Sequence, residues 1–171
     1  MKNKLAIFAL VLLMACANKQ ELLLSKIASI SEEMQKEEFP SRENMEAIIA
    51  LYDEYISSFP EDQKVISFLE LKAKYQAANG DYLAAIASYN DLMARFPEST
   101  QAADALFMQA FIYENDLSNL EAAQGAYEKF TEKFPEHELY DDAIFSLENL
   151  FLSEEEMFEK IIHLQDSAAQ E

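Results

Sequence analysis

The sequence predicts an all-α chain built from about four stacked helical hairpins, and three observations carry that prediction. The dipeptide Phe-Pro recurs at Phe39-Pro40, Phe59-Pro60, Phe96-Pro97 and Phe134-Pro135, the last three at spacings of 37 and 38 residues. Those three also close one common frame. Ile48, Tyr52, Tyr55 and Phe59 are spaced like Ala85, Tyr89, Leu92 and Phe96, and again like Ala123, Tyr127, Phe130 and Phe134. Steps of three and four put each set on one helical face, and the proline disfavours helical geometry at the residue before it. The third observation is composition. With 2 Gly and 4 Pro in 171 residues, and Ala, Leu, Glu and Met abundant, helix is favoured throughout. Self-similarity at a fixed period is the mark of a repeat architecture.

The elements follow in chain order. Lys2 and Lys4 precede an uncharged apolar run from Leu5 to Ala15. Eleven residues are too few to cross a bilayer, which takes about 20, but they suit the apolar region of an export signal. The run ends Leu13-Met14-Ala15-Cys16, and Cys16 is the sole cysteine, so no intrachain disulfide is available. The expected organisation is a signal at 1–15, a short tether at 16–20, a helical repeat domain at 21–165 and a frayed tail at 166–171. Removing Lys2 and Lys4 with the signal takes the net charge from −19 to −21.

Eight helices are expected, at about Gln20–Glu38, Ser41–Phe59, Asp62–Asn79, Asp81–Phe96, Ser99–Asn115, Asn119–Phe134, Glu138–Phe151 and Glu154–Gln165. Ser41 and Ser99 stand just after prolines as N-caps. Gly80 suits the left-handed residue that closes a helix, and Asp81 suits the cap of the next. Ser118-Asn119-Leu120-Glu121 and Ser153-Glu154-Glu155-Glu156 read as capping boxes. Nine residues after each proline come Leu69, Leu106 and Ile144, and thirteen after come Ala73, Ala110 and Glu148. Small Ala lets two helices approach closely. Glu148 does not, so the last repeat is either looser or a cap with a wet outer face.

The Ala-x-x-x-Tyr-x-x-Leu/Phe-x-x-x-Phe-Pro frame resembles tetratricopeptide repeats, over about Ser41 to Leu150. The Gly80-Asp81-Tyr82 turn and the stretch Glu98-Ser99, then Ala102-Ala103-Asp104-Ala105-Leu106, resemble a bacterial subgroup. It contains BamD-type outer-membrane assembly lipoproteins and CpoB/YbgF-type periplasmic proteins linked to Tol–Pal. Leu13-Met14-Ala15-Cys16 resembles the lipobox of bacterial lipoproteins, in which the thiol of the cysteine becomes a thioether to diacylglycerol. The resemblance implies a right-handed solenoid whose concave groove is lined by the first helix of each pair. On this sequence the groove positions would be Ser67, Glu70, Lys74, Asp104, Phe107, Phe111, Asp142, Phe145 and Asn149. Phe107, Phe111 and Phe145 would either anchor a partner's peptide or helix or pack against neighbouring helices.

Charge and residue counts narrow the chemistry. A net charge of −19 repels phosphate backbones and anionic membrane surfaces, so nucleic acid is excluded as a partner and membrane attachment needs the lipid on Cys16. Two glycines cannot make a dinucleotide-binding turn, a phosphate-cradling loop or a nucleophile elbow. His137 and His163 are the only histidines, and both read as surface residues. His137-Glu138-Leu139-Tyr140-Asp141 lacks the second histidine of a zinc protease. Asp141-Asp142 and Glu154-Glu155-Glu156 lack calcium-loop spacing and read as solvated helix starts. No catalytic residue, metal, cofactor or small-molecule substrate is expected. The expected function is a lipid-anchored scaffold facing the periplasm from the outer membrane and binding other cell-envelope proteins along its groove. The alternative is a surface-exposed or periplasmic binding subunit of a transport or secretion complex.

Overall fold

A computed structural model describes residues 2–153, 155–160 and 162, with the backbone alone for residues 2–16. Every regular element among them is helical. The chain divides into two compact units, Met1–Phe96 and Pro97–Glu171.

The first unit holds α1 (Lys2–Met34), α2 (Arg42–Ser58), α3 (Lys64–Ala78) and α4 (Tyr82–Arg95), each packed against the next. The frame residues form its core: Ile48, Tyr52, Tyr55, Ala85, Tyr89 and Leu92 are all buried, as are Leu69 and Ala73 of α3. Tyr52 stacks on Phe68 at 4.9 Å between ring centroids, and Tyr55 meets the same ring edge-on at 4.8 Å. Such aromatic pairs add stabilisation beyond the area they bury. Hydrogen bonds fasten the helix ends. Arg42 donates to the Asn79 side chain at 3.0 Å and to its carbonyl at 3.2 Å, and Arg95 donates to the Pro60 carbonyl at 2.6 Å.

The second unit holds α5 (Thr100–Phe111), a π-helical turn (Ile112–Asp116), α6 (Leu120–Lys133), α7 (Tyr140–Asn149) and a further helix, α8, over residues 155–160. Ala123, Tyr127, Phe130, Leu106, Ala110 and Ile112 form its core. Glu148, at the position of Ala73 and Ala110, is exposed and pairs with Lys160 of α8 at 3.7 Å.

The Phe-Pro corners share one backbone geometry. Phe59, Phe96 and Phe134 have φ of −134°, −132° and −129° with ψ of 58°, 56° and 56°, and each N–H donates to the carbonyl four residues back. The proline that follows cannot continue the helix. Phe39-Pro40 falls outside the frame, and Phe39 is exposed.

Local expectations are met in part. Ser41 and Ser99 cap α2 and α5 by accepting from Asn44 and Ala102. Ser153 and Glu156 close a reciprocal capping box, Ser153 N–H to Glu156 at 2.8 Å and Glu156 N–H to Ser153 at 3.3 Å. Gly80 has φ +85°. Asp81 differs: its carboxylate accepts from the Asn79 side chain instead of capping α4. The cap of α6 is Asn119, not Ser118, which takes φ +50°.

The largest difference is at the N-terminus. Residues 16–20, expected to be a tether, continue α1 as helix. Gln20 donates to the Tyr55 hydroxyl at 2.9 Å and to Asp62 at 2.8 Å, and Lys19 reaches Ser58 at 2.9 Å and Glu54 at 3.2 Å. Side chains remote in sequence thus hold the stretch in register with α2. Helix α1 ends at Met34, short of the expected Glu38. Among the described residues no helix is long and apolar enough to cross a membrane. The expected tail at 166–171 and His163 lie outside the described residues.

Candidate protein-binding surfaces

The predicted groove positions lie on α3, α5 and α7, three on each, at steps that put each trio on one helical face. On α3, Ser67 is exposed, and Glu70 and Lys74 form an ion pair at 2.5 Å. Both ends of that pair reach water, so it contributes little to stability.

On α5 the three residues have separate roles. Asp104 pairs with Nε2 of His137 at 3.5 Å. Phe107 is half-buried, its ring edge-on to Tyr127 at 5.6 Å and to Phe130 at 5.5 Å. It belongs to the interior of the α5–α6 hairpin and is not an open anchor, because the bulk of α6 at positions 127 and 130 draws it inward. Phe111 is 43% exposed.

On α7, Asp142 is exposed and Phe145 is 57% exposed. Asn149 is buried, which corrects its reading as a groove residue. Its amide donates to the Phe145 carbonyl and its oxygen accepts from Lys160 at 2.9 Å, so it ties α8 to α7. A buried amide needs such partners, and an accessible role would leave it without them. Phe111 and Phe145 therefore remain as accessible aromatic side chains among the predicted positions.

His137 was expected at the surface and is instead half-buried. Its ring meets Phe130 edge-on at 5.4 Å, and Nδ1 accepts from the Leu139 N–H at 3.3 Å. Asp62, Ser99 and His137 each stand two residues past a frame proline; Asp62 and Ser99 accept a backbone N–H of the next helix, and His137 accepts that of Leu139 just before α7. The Lys64 N–H, the main cause, holds the Asp62 carboxyl below its usual range. Tyr127 donates to Glu114 of the π turn at 2.7 Å, and burial pushes its phenol well above its usual range. It remains a neutral donor across ordinary pH.

Two open grooves were missed. One, about 400 Å³, runs between α1 and α2 and is lined by Lys26, Ile30, Ala47, Ala50, Leu51 and Glu54, among others. A second, about 230 Å³, runs between α3 and α4, with Lys72, Gln76, Ala84, Ala87, Ser88 and Asp91 in its walls. They are copies of one surface. The α2 positions correspond 37 residues on to those of α4; 46 residues on, Lys26 recurs as Lys72 and Ile30 stands where α3 has Gln76. That double register is the signal in the sequence by which they could have been found. Among the described residues no group of His, Cys, Asp and Glu can hold a metal ion.

Residues 104–137 match the tetratricopeptide repeat. No curated protein matches the chain. The matched repeat runs from Asp104 through the π turn and α6 to His137, so its first and last residues are the two partners of the Asp104–His137 contact described above. The helical hairpins on either side of it, joined by the same Phe-Pro corners, have the architecture of this repeat type. Repeats of this kind present surfaces for protein partners.

Proposed function

We propose that the chain is a lipid-anchored scaffold of the bacterial envelope that binds other envelope proteins through the accessible faces of its helical repeats. The observation that carries the binding role is the tetratricopeptide repeat at 104–137 beside exposed aromatic side chains, Phe111 and Phe145, on α5 and α7. Exposed aromatics on a rigid helical face are suited to anchor a partner's peptide or helix. The net charge of −19 favours a partner segment that carries basic residues.

The membrane address rests on Lys2, Lys4, the apolar run to Ala15 and the single cysteine after it. A multiply acylated cysteine anchors stably where one chain would not. Asp does not follow Cys16, which by the sorting rule of enterobacteria favours the outer membrane. The periplasmic face is the proposed side, with accessory help in outer-membrane protein assembly or envelope organisation as the role. Labelled palmitate is expected to enter the wild-type chain and not Cys16→Ser; equal labelling would remove the anchor. Cross-linking in intact cells is expected to recover envelope proteins, with recovery reduced by Phe111→Ala together with Phe145→Ala at unchanged helical content. Cleavage by protease added to whole cells would move the chain to the cell surface and favour a subunit of a transport or secretion complex.

A further inference from the structure

We infer that the outer face of the first hairpin, centred on Leu22, Lys26 and Ser29 of α1, docks an amphipathic helix of another protein, one carrying an aromatic residue followed directly by a carboxylate. The chain itself contains the template for that contact. Leu22, Lys26 and Ser29 correspond in position to Phe68, Lys72 and Tyr75, 46 residues on, with the lysine kept, the register that also relates the two grooves. On α3 those three residues are covered by α2. Tyr52 stacks on Phe68 at 4.9 Å and on Tyr75 at 6.4 Å, Asp53 pairs with Lys72, and Tyr55 closes on Phe68. Phe68 is accordingly 9% exposed, and the Lys72 side chain only 17%.

On α1 the same positions are uncovered. Leu22 is 55% exposed, and Lys26 is exposed with no ion-pair partner among the described residues. Beside them the wider groove is floored by Ala47 and Ala50, small enough on α2 to let a helix backbone come close, with Leu51 adding an apolar wall. The repeat therefore places an apolar site, a lysine and a shallow groove where its next copy places an aromatic site, a paired lysine and a narrower groove. What fits is a helix that does what α2 does: an aromatic side chain over Leu22, with the next residue a carboxylate reaching Lys26. A chain of net charge −19 repels an acidic ligand, so the docking helix must be neutral or basic as a whole. This docking does not depend on Cys16 or on any membrane address.

The test uses a labelled synthetic peptide copying residues 41–60, with Glu43, Glu46 and Glu54 changed to Gln so that the carboxylate at 53 remains without excess negative charge. Fluorescence anisotropy against the full chain is expected to show saturable binding. Lys26→Glu is expected to weaken it at least about tenfold, and Asp53→Lys in the peptide to restore binding to that variant. Leu22→Ser is expected to weaken it without loss of helical content, since Leu22 is exposed. Absence of binding, or binding indifferent to Lys26→Glu, would overturn the inference. So would sedimentation showing concentration-dependent self-association of the full chain abolished by Leu22→Ser, which would give the face to a second copy.

Discussion

Hairpin α3–α4 turns over on Gly80 and hairpin α5–α6 on Ser118, each five residues before the alanine that opens the frame of its second helix. Both residues are left-handed, at φ +85° and +50°. Their approaches differ. After α3 the chain closes with Asp81 N–H to Gln76 at 2.8 Å and Gly80 N–H to Ala77 at 2.9 Å, the reverse-turn pattern that a glycine permits. After α5 it widens into the π turn, with Leu117 N–H to Ile112 at 3.0 Å and Asn119 N–H to Tyr113 at 2.8 Å. The second hairpin has one more residue between its prolines, 38 against 37, and the π turn takes it up without shifting the faces of the flanking helices. An inserted residue can thus be absorbed as a local widening while the repeat register survives.

The widest test of that comparison is the side chain that anchors the π turn. Ile112 is 1% exposed, whereas Tyr75, equally distant from its own proline, is only partly buried. Ile112→Ala is expected to cost about 2–5 kcal/mol by loss of buried contacts and the cavity left behind. Urea denaturation followed by circular dichroism measures it. A loss under about 1 kcal/mol would mean that the π turn does not depend on the core beneath it.

The two turn residues are expected to respond in opposite directions. At Gly80 an added Cβ meets nothing within 4 Å, so Gly80→Ala has no steric clash and only the left-handed backbone to oppose it. The expected cost is about 1 kcal/mol. Ser118→Gly removes the same strain, offset by a more flexible unfolded chain, and is expected to stabilise by about 0.5 kcal/mol. Thermal unfolding of the two variants side by side checks the signs. Equal signs would show that the turns are not equivalent.

The contrast also marks how far the sequence can be read. The Phe-Pro corners, the buried frame and the glycine turn were legible because each is a local conflict between a residue type and helical geometry. Asn119 displaced Ser118 as a cap because the extra residue is absorbed upstream, which spacing alone does not reveal. Phe107 and Asn149 occupy positions that spacing assigns to an open face, yet the bulk of α6 and the arrival of Lys160 from α8 draw them inward. The stretch at 16–20 looked like a tether because Gln20 finds its partners, Tyr55 and Asp62, 35 and 42 residues away. His137 looked exposed because Asp104 and Phe130 reach it only through the fold.

The smallest expected effect separates the two corners by charge. Asp62 at the start of α3 and Ser99 at the start of α5 stand at equivalent positions and both accept a helix N–H. Only the first titrates. The Lys64 N–H at 2.8 Å, with lesser help from Tyr55, Gln20 and the Lys64 charge, lowers the folded-state pKa of Asp62 below its unfolded value. Its contribution is therefore present above the unfolded carboxylate range and is lost as pH falls through the depressed folded value. Asn at 62 keeps an oxygen for Lys64 and loses the charge together with the second oxygen that accepts from Gln20. Because the group is partly exposed, Asp62→Asn is expected to cost no more than a few tenths of a kcal/mol at neutral pH. That difference is expected to vanish in acid, where the wild-type carboxyl is itself neutral. Ser99→Ala removes an uncharged cap and is expected to cost about 1 kcal/mol at every pH. Unfolding midpoints of the three chains between neutral and acid pH decide it: a pH-independent gap for Asp62→Asn would mean that hydrogen-bond geometry, not charge, distinguishes the two corners.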